Sequence, residues 1–117
     1  MLIQVNTDGN IEGGEKFTNY VESDVGNLLS RVSDHLTRLE IHLSDQNGAK
    51  TGSNDKRCLM EARPEGRQPV IVSHEAATVE DAWTGAAKKL VRLLEADLGR
   101  IGDHRAGSAP KTDEGTA

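Results

Sequence analysis

LTRLEIHLSD, residues 36–45, alternates polar and apolar side chains from Arg38 to Ser44. Leu39, Ile41 and Leu43 fall on one side of an extended chain, and Arg38, Glu40, His42 and Ser44 on the other, because successive strand side chains point to opposite faces. Such a segment is a strand covered on one face only, and the neighbouring stretches repeat the pattern. After the loop QNGAKTGSN (46–54), residues 55–64, DKRCLMEARP, turn Cys58, Met60 and Ala62 inward and Arg57, Glu61 and Arg63 outward. Pro64, Glu65 and Gly66 make a tight turn into residues 67–75, RQPVIVSHE, where Val70-Ile71-Val72 is apolar on both faces. Short connections between such runs favour antiparallel pairing.

Upstream, residues 2–7, LIQVNT, alternate Ile3 and Val5 against Gln4 and Asn6, a further short strand that ends in the turn residues Thr7-Asp8-Gly9-Asn10. From Glu15 to His35 the spacing changes. Phe17, Val21, Val25, Leu28, Leu29 and Val32 recur at steps of three and four and form one helical stripe, although Gly26 inside it costs about 1 kcal/mol relative to alanine. Downstream, Thr78 stands three residues before Asp81 as a helix cap. The helix that follows is expected to run to about Gly102, with Val79, Trp83, Ala86, Ala87, Leu90, Leu94, Leu98 and Ile101 inward.

The element order is therefore β-α-β-β-β-α. The expected fold is α+β, a two-layer sandwich in which a four-stranded antiparallel sheet carries both helices on the face bearing Ile3, Val5, Leu39, Ile41, Leu43, Cys58, Met60 and Ala62. The opposite face stays open and polar. Residues 1–104 form one domain, and the polar tail 105–117, RAGSAPKTDEGTA, is expected to be disordered.

Composition narrows the function. The chain has 117 residues, 35% hydrophobic and 28% charged, with no apolar run long enough for a membrane span. The N-terminus lacks the pattern of a signal peptide, and a lone cysteine cannot form an internal disulfide, which together point to the cytoplasm. Net charge is −5, unevenly spread: residues 1–30 set one lysine against five carboxylates, whereas residues 83–105 set five basic against three acidic side chains. Nucleic-acid binders usually carry a basic total, so such a role here must rest on a local patch.

Enzyme constellations are poor. Cys58 could act as a nucleophile beside His42 or His74, but its phase with Met60 and Ala62 is that of a small buried core residue. His35, His42, His74 and His104 have no metal-ligand spacing. The loop 46–54 lacks both the regular alternation of a calcium loop and the glycine spacing of a phosphate loop. No catalytic residue, metal or cofactor is expected. His42 on the open face is either a simple exposed histidine or a group that stacks on a base or touches phosphate.

The densest basic group lies in GAAKKLVRLLEADLGR, residues 85–100. Lys88 and Arg92 project four residues apart on one side of the helix, Lys89 flanks them, and Arg100 lies two turns beyond Arg92. That ridge suits contact with a phosphate backbone, or it is a solvated helix face balanced by Glu95 and Asp97.

The succession IQVNTDGNIEG, VSDHLTRLEIHLSDQNG, NDKRCLMEARPEGRQPVIVSHEA and AWTGAAKKLVRLLEADLGR, covering about residues 2–104, resembles the ribosome hibernation-promoting factors, also called ribosome-associated inhibitors or ribosomal subunit interface proteins. The resemblance implies a fold similar to double-stranded-RNA-binding domains. It also implies binding to ribosomal RNA of the small ribosomal subunit, in the channel used by messenger and transfer RNA, with translation blocked and ribosomes stored under stress. Carried over by position, it makes Lys88, Lys89 and Arg92 the first candidates for rRNA contact, then Arg57 and Arg63, then Arg38 and His42. The chain is similar to the family's short form, which lacks a dimerisation domain, and is expected to be monomeric off the ribosome, with no membrane and no small-molecule substrate as partner. Two other readings fit the residues: a binding module for other structured RNA, and a stress regulator that acts through protein contacts alone.

Overall fold

A computed structural model describes residues 1–9, 11, 13–46 and 55–106, with side chains through Asp97. In chain order its elements are β1 (Leu2–Thr7), α1 (Glu15–Leu28), a 3-10 turn (Ser33–His35), β2 (Leu36–Asp45), β3 (Lys56–Pro64), β4 (Val70–Ala76) and α2 (Val79–Ala106). The four strands form one sheet in the order β1-β2-β3-β4. The expected α+β order and the two-layer arrangement are those of the protein.

Alternation in the strands builds the core directly. Rows across the inner face read Ile3–Leu39–Ala62–Val70 and Val5–Ile41–Met60–Val72, followed by Leu43–Cys58. Leu39, Ile41, Cys58, Met60 and Ala62 are fully buried beneath Val21 and Val25 of α1 and Ala82, Trp83, Ala86, Ala87, Leu90 and Leu94 of α2. Full burial contributes about 1.5–3 kcal/mol for each large aliphatic side chain, so this layer dominates stability.

One element departs from the antiparallel expectation. β1 pairs with β2 in parallel, Ile3 opposite Leu39 and Val5 opposite Ile41, while β2–β3 and β3–β4 are antiparallel. The physical reason is the connection. A strand that reaches its neighbour through a helix returns at the same end, so it runs parallel to that neighbour.

The first helix also ends earlier than its apolar stripe. Its last α-type bond joins Leu29 N–H to the Val25 carbonyl at 2.9 Å, after which Val32 N–H bonds back only three residues, to Leu29 at 2.9 Å. Asn27, Ser30, Ser33 and Asp34 offer local polar alternatives to helical bonding, and the chain tightens into the 3-10 turn. Leu29 and Val32 still enter the core, which is why periodicity alone overran the helix.

Boundaries elsewhere shift by a few residues. β4 begins at Val70, because Pro64 to Arg67 form a turn in which Arg67 N–H bonds the Pro64 carbonyl at 3.2 Å and Gly66 takes a left-handed φ of 71°. α2 begins as expected, with Asp81 N–H donating to Thr78 Oγ1 at 3.0 Å. It continues to Ala106, so Arg105 and Ala106, expected in the tail, are helical. The rest of that tail and loop residues 47–54 lie outside the described residues.

All three aromatics lock the two helices together. Trp83 lies edge-on to Phe17 (6.0 Å between centroids) and Tyr20 (5.8 Å), and its indole N–H donates to Asp24 Oδ2 at 2.7 Å. Tyr20 donates to Glu80 Oε2 at 3.1 Å, and Arg31 pairs with Glu95 at 2.9 Å. On the other flank, α2 lies so close to β4 that a Cβ at Gly85 would overlap the imidazole of His74.

Candidate nucleic-acid interface

The two-layer fold divides the seven candidate residues into two groups on opposite sides of the molecule. Lys88 and Arg92 stand on the outer ridge of α2, because the same helix turns Ala86, Ala87, Leu90 and Leu94 into the core. Both are exposed, and among the described residues neither has a hydrogen bond or ion pair. Lys89 lies toward β4, where its ammonium donates to the Ser73 carbonyl at 2.9 Å. Arg100 belongs to the same helix but lies beyond the described side chains.

The second group occupies the open face of the sheet. Arg38 and Arg63 are direct cross-strand partners, and one row on, Gln4, Glu40, Glu61 and Ile71 line up across all four strands. The next row is Asn6, His42, Leu59 and Ser73, and the last is Ser44, Arg57 and Glu75. The Arg38–Arg63 pair therefore lies next to an anionic pair, Glu40–Glu61, and the last row sets Arg57 beside Glu75.

Each sheet-face candidate except Arg57 already has a carboxylate neighbour in contact with it. Arg38 Nη2 lies 2.6 Å from Gln4 Oε1 and 3.1 Å from Glu40 Oε2. The other oxygen of Glu40 lies 3.4 Å from His42 Nε2. Arg63 reaches Glu61 at 3.5 Å. Arg57 is half-buried, and its Nε, like that of Arg38, is buried without a hydrogen-bond partner. The α2 ridge thus presents charge without a partner among the described residues, and Arg38 and Arg63 on the sheet face present charge already paired with a carboxylate. Sequence reading placed Glu40 and Glu61 outward without assigning them a role. The available signal was their spacing, two residues from an arginine on the same face of the same strand.

A third charged group was also missed. At the end of the β2–β3 ladder, Lys56 contacts Asp55 Oδ1 at 3.0 Å and Asp45 Oδ2 at 3.4 Å, both carboxylates being buried. Its hydrogen bond to Asp55 leads the effects that raise the Lys56 ammonium above its ordinary value. This cluster closes the hairpin, with Gln46 N–H bonding the Asp55 carbonyl at 2.7 Å.

Cys58 is fully buried, and desolvation pushes its thiol up to about 12. That places it with the core residues, away from any nucleophilic role. Among the described residues no group of histidine, cysteine and carboxylate side chains is arranged to hold a metal ion, and no helix is long and apolar enough to cross a membrane.

The family model described as "Sigma 54 modulation protein / S30EA ribosomal protein" matches residues 3–101. The fold is similar to the Thermus thermophilus Protein Y N-terminal domain, with a TM-score of 0.63 and 23% identity over 83% of this chain and 99% of that one. It is also similar to a ribosomal subunit interface protein from Coxiella burnetii, with a TM-score of 0.69 and 13% identity over 85% of this chain and 99% of that one. No curated protein matches the chain.

Proposed function

The chain belongs to the Sigma 54 modulation protein / S30EA ribosomal protein family, and from that membership we propose that it is a ribosome-associated inhibitor of translation. In this reading it binds ribosomal RNA of the small subunit in the cytoplasm, occludes the channel for messenger and transfer RNA, and so promotes ribosome hibernation under stress. The role is steric and not enzymatic: a folded wedge excludes the substrates of initiation. The observation that carries the reading is the free cationic ridge of α2. Lys88 and Arg92 are exposed, have no partner among the described residues, and stand four residues apart on a chain of net charge −5.

Phosphate contact through that ridge is independent of sequence and weakens with salt. Lys89 adds a third cation beside it, and Arg57, Arg63, Arg38 and His42 supply a second contact surface on the far side of the molecule. Two opposed contact surfaces suit a protein held in a channel, with RNA on more than one side.

Co-sedimentation with purified small subunits tests the assignment. The variant Lys88→Glu/Lys89→Glu/Arg92→Glu is expected to lose association at low salt, and Lys88→Glu/Arg92→Glu, which spares the Lys89–Ser73 contact, is expected to lose most of it. Unchanged sedimentation of both variants would remove α2 from the interface.

A further inference from the structure

Glu40 and Glu61 sit at the centre of the open sheet face and are direct cross-strand partners. Like charges so placed oppose one another across the strands. The arrangement is stable because each carboxylate is shared with an arginine on its own strand: Glu40 with Arg38 at 3.1 Å, and Glu61 with Arg63 at 3.5 Å. Glu40 also stands beside His42 at 3.4 Å. Three of the four candidate contact residues on this face are therefore held by two carboxylates.

We propose that Glu40 and Glu61 are specificity-determining residues, which keep the sheet face from gripping ordinary nucleic-acid backbone. The proposal rests on the ribosomal RNA reading above and adds its selectivity. A phosphate approaching Arg38 or Arg63 finds the guanidinium already paired with the carboxylate beside it and must compete for it, so a ligand offering phosphates alone gains little. A ligand that also presents donors, such as 2′-hydroxyls and the exocyclic amino groups of base edges, can satisfy both carboxylates while its phosphates take the arginines. Rejection of the wrong partner by a repulsive element is a general route to specificity. The free ridge of α2 carries no such screen, which divides the work: α2 attracts any polyanion, and the sheet face selects among them.

The variant Glu40→Gln/Glu61→Gln tests this, since it keeps the shape of both side chains and one acceptor oxygen on each and removes their charge. The probes are a mixed-sequence DNA duplex, which offers phosphates without 2′-hydroxyls, followed by fluorescence anisotropy across a salt series, and purified small subunits, followed by co-sedimentation. Releasing two exposed ion pairs should tighten duplex binding about three- to tenfold at low salt. It should also steepen the dependence of log K on log salt by about one phosphate contact. Subunit affinity should rise by less, so that the ratio of subunit to duplex affinity falls. A single cooperative thermal transition shows that the variant is folded, whatever its midpoint. Duplex affinity that stays unchanged while the parent chain still sediments with subunits overturns this inference alone. Binding of neither duplex nor subunits by either protein overturns the ribosomal reading with it.

Discussion

Replacing Gly85 by alanine sets two known effects against each other at one site. In an exposed helix interior the change stabilises by about 1 kcal/mol, because glycine is the poorer helix former. Here the added Cβ would overlap three ring atoms of His74, a half-buried side chain on β4 beneath α2. Overpacking of that kind costs about 1–3 kcal/mol. The steric effect wins, and Gly85→Ala should destabilise by up to about 2 kcal/mol net.

The same reasoning fixes the sign in a second background. With His74→Ala the obstructing ring is gone, and Gly85→Ala should then stabilise by up to about 1 kcal/mol. Urea unfolding of the four proteins in the cycle measures both values and a coupling of about 1–3 kcal/mol between the two positions. In a thermal scan each kcal/mol appears as about 4–8 °C for a domain of this size. A higher midpoint for Gly85→Ala in the chain that keeps His74, or an equal effect in both backgrounds, would refute the close approach of α2 to β4.

Two titrations probe buried and bridging groups. Tyr20 is the single tyrosine, and its hydrogen bond to Glu80 raises its pKa above 10.0; phenolate absorbance should show a midpoint above that value, and Glu80→Ala should bring it back down. Because the folded-state value is the raised one, this contact's stabilisation is present below pH 10 and lost as pH climbs through the folded-state midpoint. Cys58, held up to about 12 against an ordinary 9.0, should resist an aromatic disulfide reagent at pH 8 in the native protein and react at once in denaturant. Rapid native labelling would place the thiol at the surface.

The sequence disclosed most of the sheet because apolar and polar residues alternate on β2 and β3 almost without exception, and each inward residue there is buried. Strand direction was not disclosed by that signal, since alternation looks the same in either direction. The information lay in the connection, where a helix between β1 and β2 demands parallel return. The end of α1 was hidden for the opposite reason: Leu29 and Val32 keep the helical spacing after the helix has ended. Residue type and phase were enough to place Lys88 and Arg92 on the outer ridge. They could not show that Lys89 bonds a strand carbonyl or that Glu40 serves both Arg38 and His42, because such partnerships depend on register across strands and on rotamers.

The bond from Lys89 to the Ser73 carbonyl gives that side chain an office apart from its proposed contact with RNA. β4 is an outer strand of the sheet, and unpaired backbone along an outer strand is a template on which a second chain can add a strand and begin a fibre. A lysine parked on one of its carbonyls breaks the template with a charge that another backbone must first desolvate. Loss of Lys89 should therefore make concentrated protein stickier as well as weaken its hold on polyanions, so a fall in apparent binding by Lys89 variants has to be separated from a fall in soluble monomer.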